Sequence, residues 1–211
     1  MKSEKIEINT QSSIRMDFDK VIYFDPYRIE SEKHDADIIF ITHNHYDHMD
    51  TESINKIKNE RTIIVAPETM RDAICGIECR LHVFLNPDEE SDIDNIRIKT
   101  VPAYNIEKPF HPKSNNWLGY IITIDNTSYY VAGDTDKTKE AEEVRCDVAF
   151  IPIGGHFTMD VSEATELIRT INPKVVIPTH YGSIVGNKED GKRLKENLAG
   201  TNIEVIEKII F

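Results

Sequence analysis

The chain has 211 residues, 39% of them hydrophobic, and a formal net charge of −12. That length and apolar content fit one domain with a sizeable core, read here as residues 1–211 throughout. The acidic balance excludes a general binder of nucleic acid or anionic membrane, whose phosphates it would repel, although a local basic pocket for a small anion stays open. The opening MKSEKIEINTQSS lacks the apolar core of a signal peptide, and no window approaches 18 apolar residues, so a cytoplasmic protein is expected. Three cysteines, Cys75, Cys79 and Cys146, without a CxxC pair, read as reduced thiols.

In chain order, Ile6-Glu7-Ile8 alternates as a strand does and Val21 to Phe24 is a continuous apolar run, with Asp25-Pro26 as a turn after it. Ile38 to Ile41 and Thr62 to Ala66 are two more strands, separated by a weakly helical stretch, Thr51 to Lys58. Pro67 followed by ETMRDAIC reads as a helix with Pro near its first turn and Gly76 near its end. Ile96 to Val101 alternates, and Trp117 to Ile124 with Ser128 to Val131 form a hairpin around Asp125-Asn126. After the strand Asp147 to Ile153, Asp160 caps a helix running to about Ile171, with Glu163 reaching back. Lys174 to Pro178 is a strand, Lys188 to Leu198 a polar helix, and Ile203 to Phe211 a last apolar tail. Strands come first and then alternate with helices, with no Pro/Gly/Ser linker between them.

Three of the chain's eight histidines fall in one six-residue stretch, HNHYDH, from His43 to His48. It follows the apolar run Ala36 to Ile41, so the cluster sits where a strand runs out into a loop. The pattern recurs: apolar strand, Thr, His ends at His43 and again at His180, and the run Val148 to Ile153 leads through Gly154-Gly155 to His156. Ligands carried at strand ends are how α/β proteins assemble a site.

His43 and His45 are two apart, so in extended backbone they point the same way and can share one ion. Asp47 and His48 face a second position more easily. Imidazoles and carboxylates without thiolate suit a catalytic zinc, with manganese or iron as alternatives. Two such ions, about 3.5–4 Å apart, want a bridging carboxylate. Asp134 in Gly133-Asp134-Thr135-Asp136 offers one directly after a strand, and His180 supplies a late ligand.

HNHYDH, GDTD and PTHYG, in this order and at these intervals, resemble the metallo-β-lactamase superfamily. More narrowly they resemble its ascorbate-6-phosphate lactonase-like and N-acyl-phosphatidylethanolamine phospholipase D-like branch of metal-dependent hydrolases. Pro152 to Asp160 and Val101 to Tyr104 look like that branch too, and the resemblance runs from about Val21 to Gly186. It implies an αββα sandwich with two divalent ions at one edge of the sheets. By position, His43 and His45 would bind the first ion, Asp47, His48 and His180 the second, and Asp134 would bridge. A hydroxide held by both ions would attack a small ester, lactone or phosphodiester, with Asp47 orienting the water and carrying a proton.

The pattern departs from that family at Asn105. The first ion normally takes a third histidine from the strand end before the hairpin, and here that end reads Val101-Pro-Ala-Tyr-Asn105. His111, six residues on, can be a ligand, a substrate contact or a plain loop residue, and the first ion is expected to be the weaker one. Lys108 and Lys113 beside it leave room for an anionic substrate group or are solvated. His156, Tyr181 and Asn105 itself are candidates for substrate contact or for support behind the ligands, and Trp117 reads as core or hairpin face. A non-catalytic metal- or ligand-binding protein is the alternative; Asn105 favours it and Asp47 opposes it. The expected partner is a small molecule, with a homo-oligomer left open.

Overall fold

The computed structural model describes residues 3–210. Its strands form two sheets. The first contains β1 (Ile6–Ile8), β2 (Ile14–Asp17), β3 (Val21–Phe24), β4 (Ile38–Phe40), β5 (Ile63–Pro67) and β6 (Leu81–Leu85), in that order across the sheet. The second contains β7 (Glu90–Ile93), β8 (Ile96–Pro102), β9 (Leu118–Ile124), β10 (Thr127–Val131), β11 (Val148–Pro152), β12 (Val175–Thr179) and β13 (Glu204–Val205), again in chain order. Each sheet starts antiparallel and turns parallel, at β3–β4 in the first and β10–β11 in the second. Parallel neighbours need crossover connections, and these place helices on the outer faces. Here α1 (Thr51–Ile57) and α2 (Arg71–Ile74) cover the first sheet, and α3 (Lys139–Glu142), α4 (Val161–Ile171) and α5 (Asp190–Asn197) cover the second. The result is the expected αββα sandwich.

Residues pointing inward from both sheets make the central core, including Phe24, Phe40, Ile63, Ile98, Tyr120 and Phe150. Phe24 and Phe40 stack with centroids 4.7 Å apart, and Tyr120 from the other sheet lies 5.1 Å from Phe40. Burial of each such ring contributes about 1.5–3 kcal/mol. Tyr120 also positions the site: its hydroxyl donates to the Ile41 carbonyl at 2.7 Å. Leu118 N–H donates to the Thr42 carbonyl at 3.1 Å. The exit of β4, which carries HNHYDH, is thus tied to the opposite sheet.

Most of the expected elements are present, and the differences have local causes. β2, β6 and β7 were not read from the sequence. β6 and β7 lie at the sheets' edges and are largely unburied; β7 is a polar-rich stretch without clear alternation, while β6 is a short apolar run interrupted by His82. The turn between β7 and β8 uses Asp94-Asn95, both left-handed, as Asp125-Asn126 does in the expected hairpin. The helix expected after Pro67 begins as a 3-10 turn, Glu68–Met70, before α2. Asp160 does cap α4, accepting from Glu163 N–H at 2.9 Å. The Glu163 side chain does not reach back; it accepts from Lys137 N–H at 2.9 Å instead. Of the predicted C-terminal tail, β13 and a parallel bridge from Ile209 to Ile8 are formed, while Phe211 lies outside the described residues. All three cysteines are free thiols.

Candidate metal centre

Four loops meet at one edge of the sandwich: the exit of β4 with residues 42–49, the β8–β9 connection with His111, the exit of β10 with Gly133-Asp134, and the exit of β12 with His180. Gly133 adopts φ +67°, and a Cβ there would approach Leu118 O and the Thr42 side chain to 3.2 Å, so the turn that aims Asp134 inward accepts only glycine without strain. Where β11 and β12 end, a Cβ on Gly154 would meet His180 O at 2.1 Å. That contact requires a glycine and lets His180 sit close against its neighbour strand.

The side chains so delivered converge. His43, His45 and His111 form one group, Asp47, His48 and His180 a second, and His43, His48 and Asp134 a third between them. Within each, one ligand atom per residue lies within 4.8 Å of the others. Asp134 faces both ends: its Oδ1 is 3.3 Å from His48 Nε2, and its Oδ2 is 3.2 Å from His180 Nε2, 3.4 Å from His111 Nε2 and 3.9 Å from His43 Nε2. Asp47 Oδ2 lies 3.3 Å from His180 Nε2.

These separations fit metal ligation. A tetrahedral ion with bonds of about 2.0–2.1 Å holds its ligand atoms about 3.3 Å apart. His48 Nε2, His111 Nε2 and Asp134 Oδ1 are buried without a hydrogen-bond partner. Leaving polar atoms so is costly unless a further group completes them.

The atoms behind the ligands select the correct ring nitrogen. Thr42 donates its hydroxyl proton to Asp25 Oδ2 at 2.7 Å, so it can only accept from His43 Nδ1, 2.9 Å away. His48 Nδ1 lies 2.7 Å from the same Asp25 oxygen and donates to it. His111 Nδ1 lies 2.9 Å from Asn105 Oδ1 and donates there. In all three rings the proton is held at Nδ1, and the Nε2 lone pair points at the centre. Asn105 is therefore not a ligand but the brace of one. Its own amide donates to Asp136 Oδ1 and to the Phe157 carbonyl, both at 2.9 Å.

Electrostatics agree with this wiring at His43 and His45. At His48 burial opposes the charge, but Asp134 and Asp25 prevail and hold the ring well above the ordinary histidine value, so an ion there displaces a proton from Nε2. Burial, and then the neighbouring His48, hold His43 well below the ordinary histidine value, so its ring is neutral. His45 is lowered by burial and by His111. Burial works against ionisation of Asp134, but His180 and His48 outweigh it and keep that carboxylate well below its usual range. Asp47 behaves likewise: burial opposes ionisation, and the contact from His180 prevails.

Some expectations are corrected. Tyr181 points away from the site, fully buried in the core between the second sheet and its helices, where Gly191 and Glu207 lie against its hydroxyl. His156 is exposed at the rim, with its ring against Phe110 and Phe157, and belongs to none of the ligand groups. Lys108 is engaged by Asp136 and the Thr158 carbonyl, and Lys113 by Glu140. Two residues were missed. Asp25, taken for a turn residue, is buried behind His48. Trp117, taken for core, lies with its ring 4.9, 5.0 and 5.5 Å from His43, His45 and His111. Only the Asp-Pro step after β3 hinted at the first, and nothing local at the second.

A cleft of about 230 Å³ opens onto the centre, lined by His45, Tyr46, Asp47, Phe110, Asp134, Phe157, His180 and Ile184. Wider hollows of about 430 and 520 Å³ open elsewhere but contain none of the ligand groups.

The family model for the β-lactamase superfamily domain matches residues 8–180, a span holding every ligand candidate. The chain belongs to the metallo-β-lactamase superfamily. It is 34% identical over 179 residues to a UPF0173 metal-dependent hydrolase of Thermoplasma acidophilum, covering 82% of this chain and 78% of that one. A UPF0173 metal-dependent hydrolase of Pyrococcus horikoshii is 33% identical over 181 residues, with 82% and 78% covered. Among solved structures, a Parabacteroides distasonis protein superposes with a TM-score of 0.83 at 30% identity, covering 96% of this chain and 91% of that one. Among the described residues, no helix is long and apolar enough to cross a membrane.

Proposed function

We propose that this protein is a metal-dependent hydrolase of a small ester, lactone or phosphodiester, with two divalent ions, zinc first among them, held by seven side chains. His43, His45 and His111 would hold one ion, Asp47, His48 and His180 the other, and Asp134 would face both. The observation that carries this reading is Asp134: one buried carboxylate with histidine nitrogens of both groups within 3.2–3.9 Å. The relatives named as metal-dependent hydrolases support the reaction class. Bound there, such ions supply Lewis-acid polarisation of the scissile group and a water acidic enough to attack near neutral pH.

The residues then have distinct tasks. Asp47 lines the cleft, ionised, at the edge of the second group, where it can orient the attacking water and accept its proton. In ester cleavage the water oxygen bonds to the acyl carbon, the carbon–oxygen bond breaks, and the proton on Asp47 passes to the leaving oxygen. His45 is the half-buried member of the first group and faces the cleft, while His43 and His48 stay fully covered behind it. The binding-only alternative drew its support from Asn105, and that residue now has a structural task.

Asp47→Asn is the direct test. Turnover of an activated ester or of bis-p-nitrophenyl phosphate is expected to fall about 10²–10⁴-fold, with metal content retained because the Asn side-chain oxygen still offers a ligand atom where the carboxylate stood. If wild type, loaded with zinc or manganese, turns over nothing across esters, lactones and phosphodiesters, the hydrolase reading fails.

A further inference from the structure

The cleft has a chemical character of its own. Facing the ligand groups are Tyr46, Phe110, Phe157 and Ile184, and its only lining carboxylates and imidazoles are the candidate ligands. Among the described residues, no lysine or arginine lines it. The two lysines that could have drawn an anion are held elsewhere, Lys108 by Asp136 and Thr158, Lys113 by Glu140. Arg28, whose charge is felt at Tyr46, does not line the cleft and lies over the Tyr27 ring at 5.1 Å. The net charge of −12 adds a general repulsion of anions.

The apolar wall is also built in advance. Phe110 and Phe157 meet edge to face with centroids 4.7 Å apart, and His156 packs against both, at 5.1 and 4.4 Å. Opposite, Tyr46 is backed edge-on by Tyr27 at 5.9 Å. The wall is tied to the centre, since Phe110 directly precedes His111 and the Phe157 carbonyl accepts from Asn105. The hydrogen bonds that hold the His111 ring also fix where Phe157 stands. At about 230 Å³, the space lies below the 300–1,000 Å³ of sites for drug-sized ligands.

We propose that this cleft selects a neutral substrate carrying one compact apolar group beside the scissile bond, a single aromatic ring or a short branched alkyl chain. It disfavours substrates with a carboxylate or phosphate there, which narrows the reaction to neutral esters and lactones. The inference rests on the hydrolase reading for its chemistry but not for its binding step. Burying a charge against an unpaired apolar wall is costly, whereas a ring placed there gains its transfer energy.

The experiment compares p-nitrophenyl benzoate with mono-p-nitrophenyl succinate, the same leaving group on a neutral aromatic and an anionic acyl chain. It uses zinc- or manganese-loaded full-length protein. The expected kcat/KM ratio favours benzoate by about tenfold or more over their ratio in free hydroxide. In Phe110→Ala and Phe157→Ala that preference should collapse, and Phe157→Leu should keep most of it. Circular dichroism of each variant separates this from misfolding. Equal or faster turnover of the succinate ester overturns the substrate class and leaves the hydrolase reading standing. If neither ester is cleaved, fluorine NMR of 4-(trifluoromethyl)benzyl alcohol decides the class without turnover. Binding by wild type that is lost in both alanine variants upholds it although the hydrolase reading has failed. No binding overturns both.

Discussion

The two ligand groups reach the same centre by different routes. Asp47, His48 and His180 sit at the exits of β4 and β12, and His48 is braced by Asp25 at the exit of the adjacent β3. His43 and His45 come from the same β4 exit, but their third partner, His111, lies midway along the connection from β8 to β9. That connection folds back on itself: Asn105 N–H donates to the His111 carbonyl at 2.8 Å, and His111 N–H donates to Asn105 Oδ1 at 3.1 Å. A strand end thus need not carry a ligand itself; a short amide there can hold a histidine brought in from the loop. The second group depends on the sheets, the first on a closed loop and two extra hydrogen bonds.

Removing what the groups share should have the largest effect. Asp134→Ala takes away the one carboxylate facing both, leaving Asp47 beside His48 and His180 and, among the described residues, no carboxylate against His43 and His111. Both ions are expected to be lost and turnover abolished, as read by metal content after dialysis and by ester hydrolysis. If one ion survives with near wild-type affinity, the two groups are more independent than this geometry implies.

The sequence made one group readable and half hid the other. HNHYDH, GDTD and the Thr-His end of β12 are local signals, because their spacing follows strand exits, and His43, His45, Asp47, His48, Asp134 and His180 do converge. Asn105 was legible as a candidate for substrate contact or for support behind the ligands, but which of the two was not; only a folded loop shows it gripping a ring six residues away. Asp25 and Trp117 act through contacts across strands and sheets, which no local pattern encodes. The pattern also misled at Tyr181 and His156: strand exits put residues near the edge, but side-chain direction decides whether they enter. In the fold, the buried strands declared themselves by apolar runs, while the polar edge strand β7 had no such need and β6 carries a short apolar run without being deeply buried.

The supports sharpen the comparison at a smaller scale. Asn105→Ala frees the His111 ring, and its expected cost is about 10–100-fold in affinity for the first ion alone. Thr42→Val removes the partner of His43 Nδ1 and a donor to Asp25, so it should weaken both ions by a similar factor. Trp117, the chain's single tryptophan, lies against all three histidines of the first group. Its quenching by cobalt reports that group directly during titration. Equal effects of Asn105→Ala on both ions would break the proposed division.

The smallest effect is expected at the opposite end of the second sheet, where Asp147 accepts from Ser128 N–H and pairs with Lys174 at 2.7 Å. Lys174 first, and then the Ser128 N–H, hold this carboxyl down at about 2. A depressed value means stability present above the unfolded value of about 3.9 and lost as pH falls toward about 2. Asp147→Asn should therefore cost under about 1 kcal/mol at neutral pH, given the pair's exposure, with the difference fading across that acid window. Urea unfolding of both forms between pH 2 and 6 checks this, and the metal centre should be untouched at neutral pH.

The most direct test of the account is a count of metal per chain by elemental mass spectrometry, for wild type and His111→Ala, reconstituted with zinc and dialysed. Two ions in wild type and about one in the variant are expected, because His111 completes only the first group. No ion in wild type, or two retained in His111→Ala, would contradict the centre as assigned here.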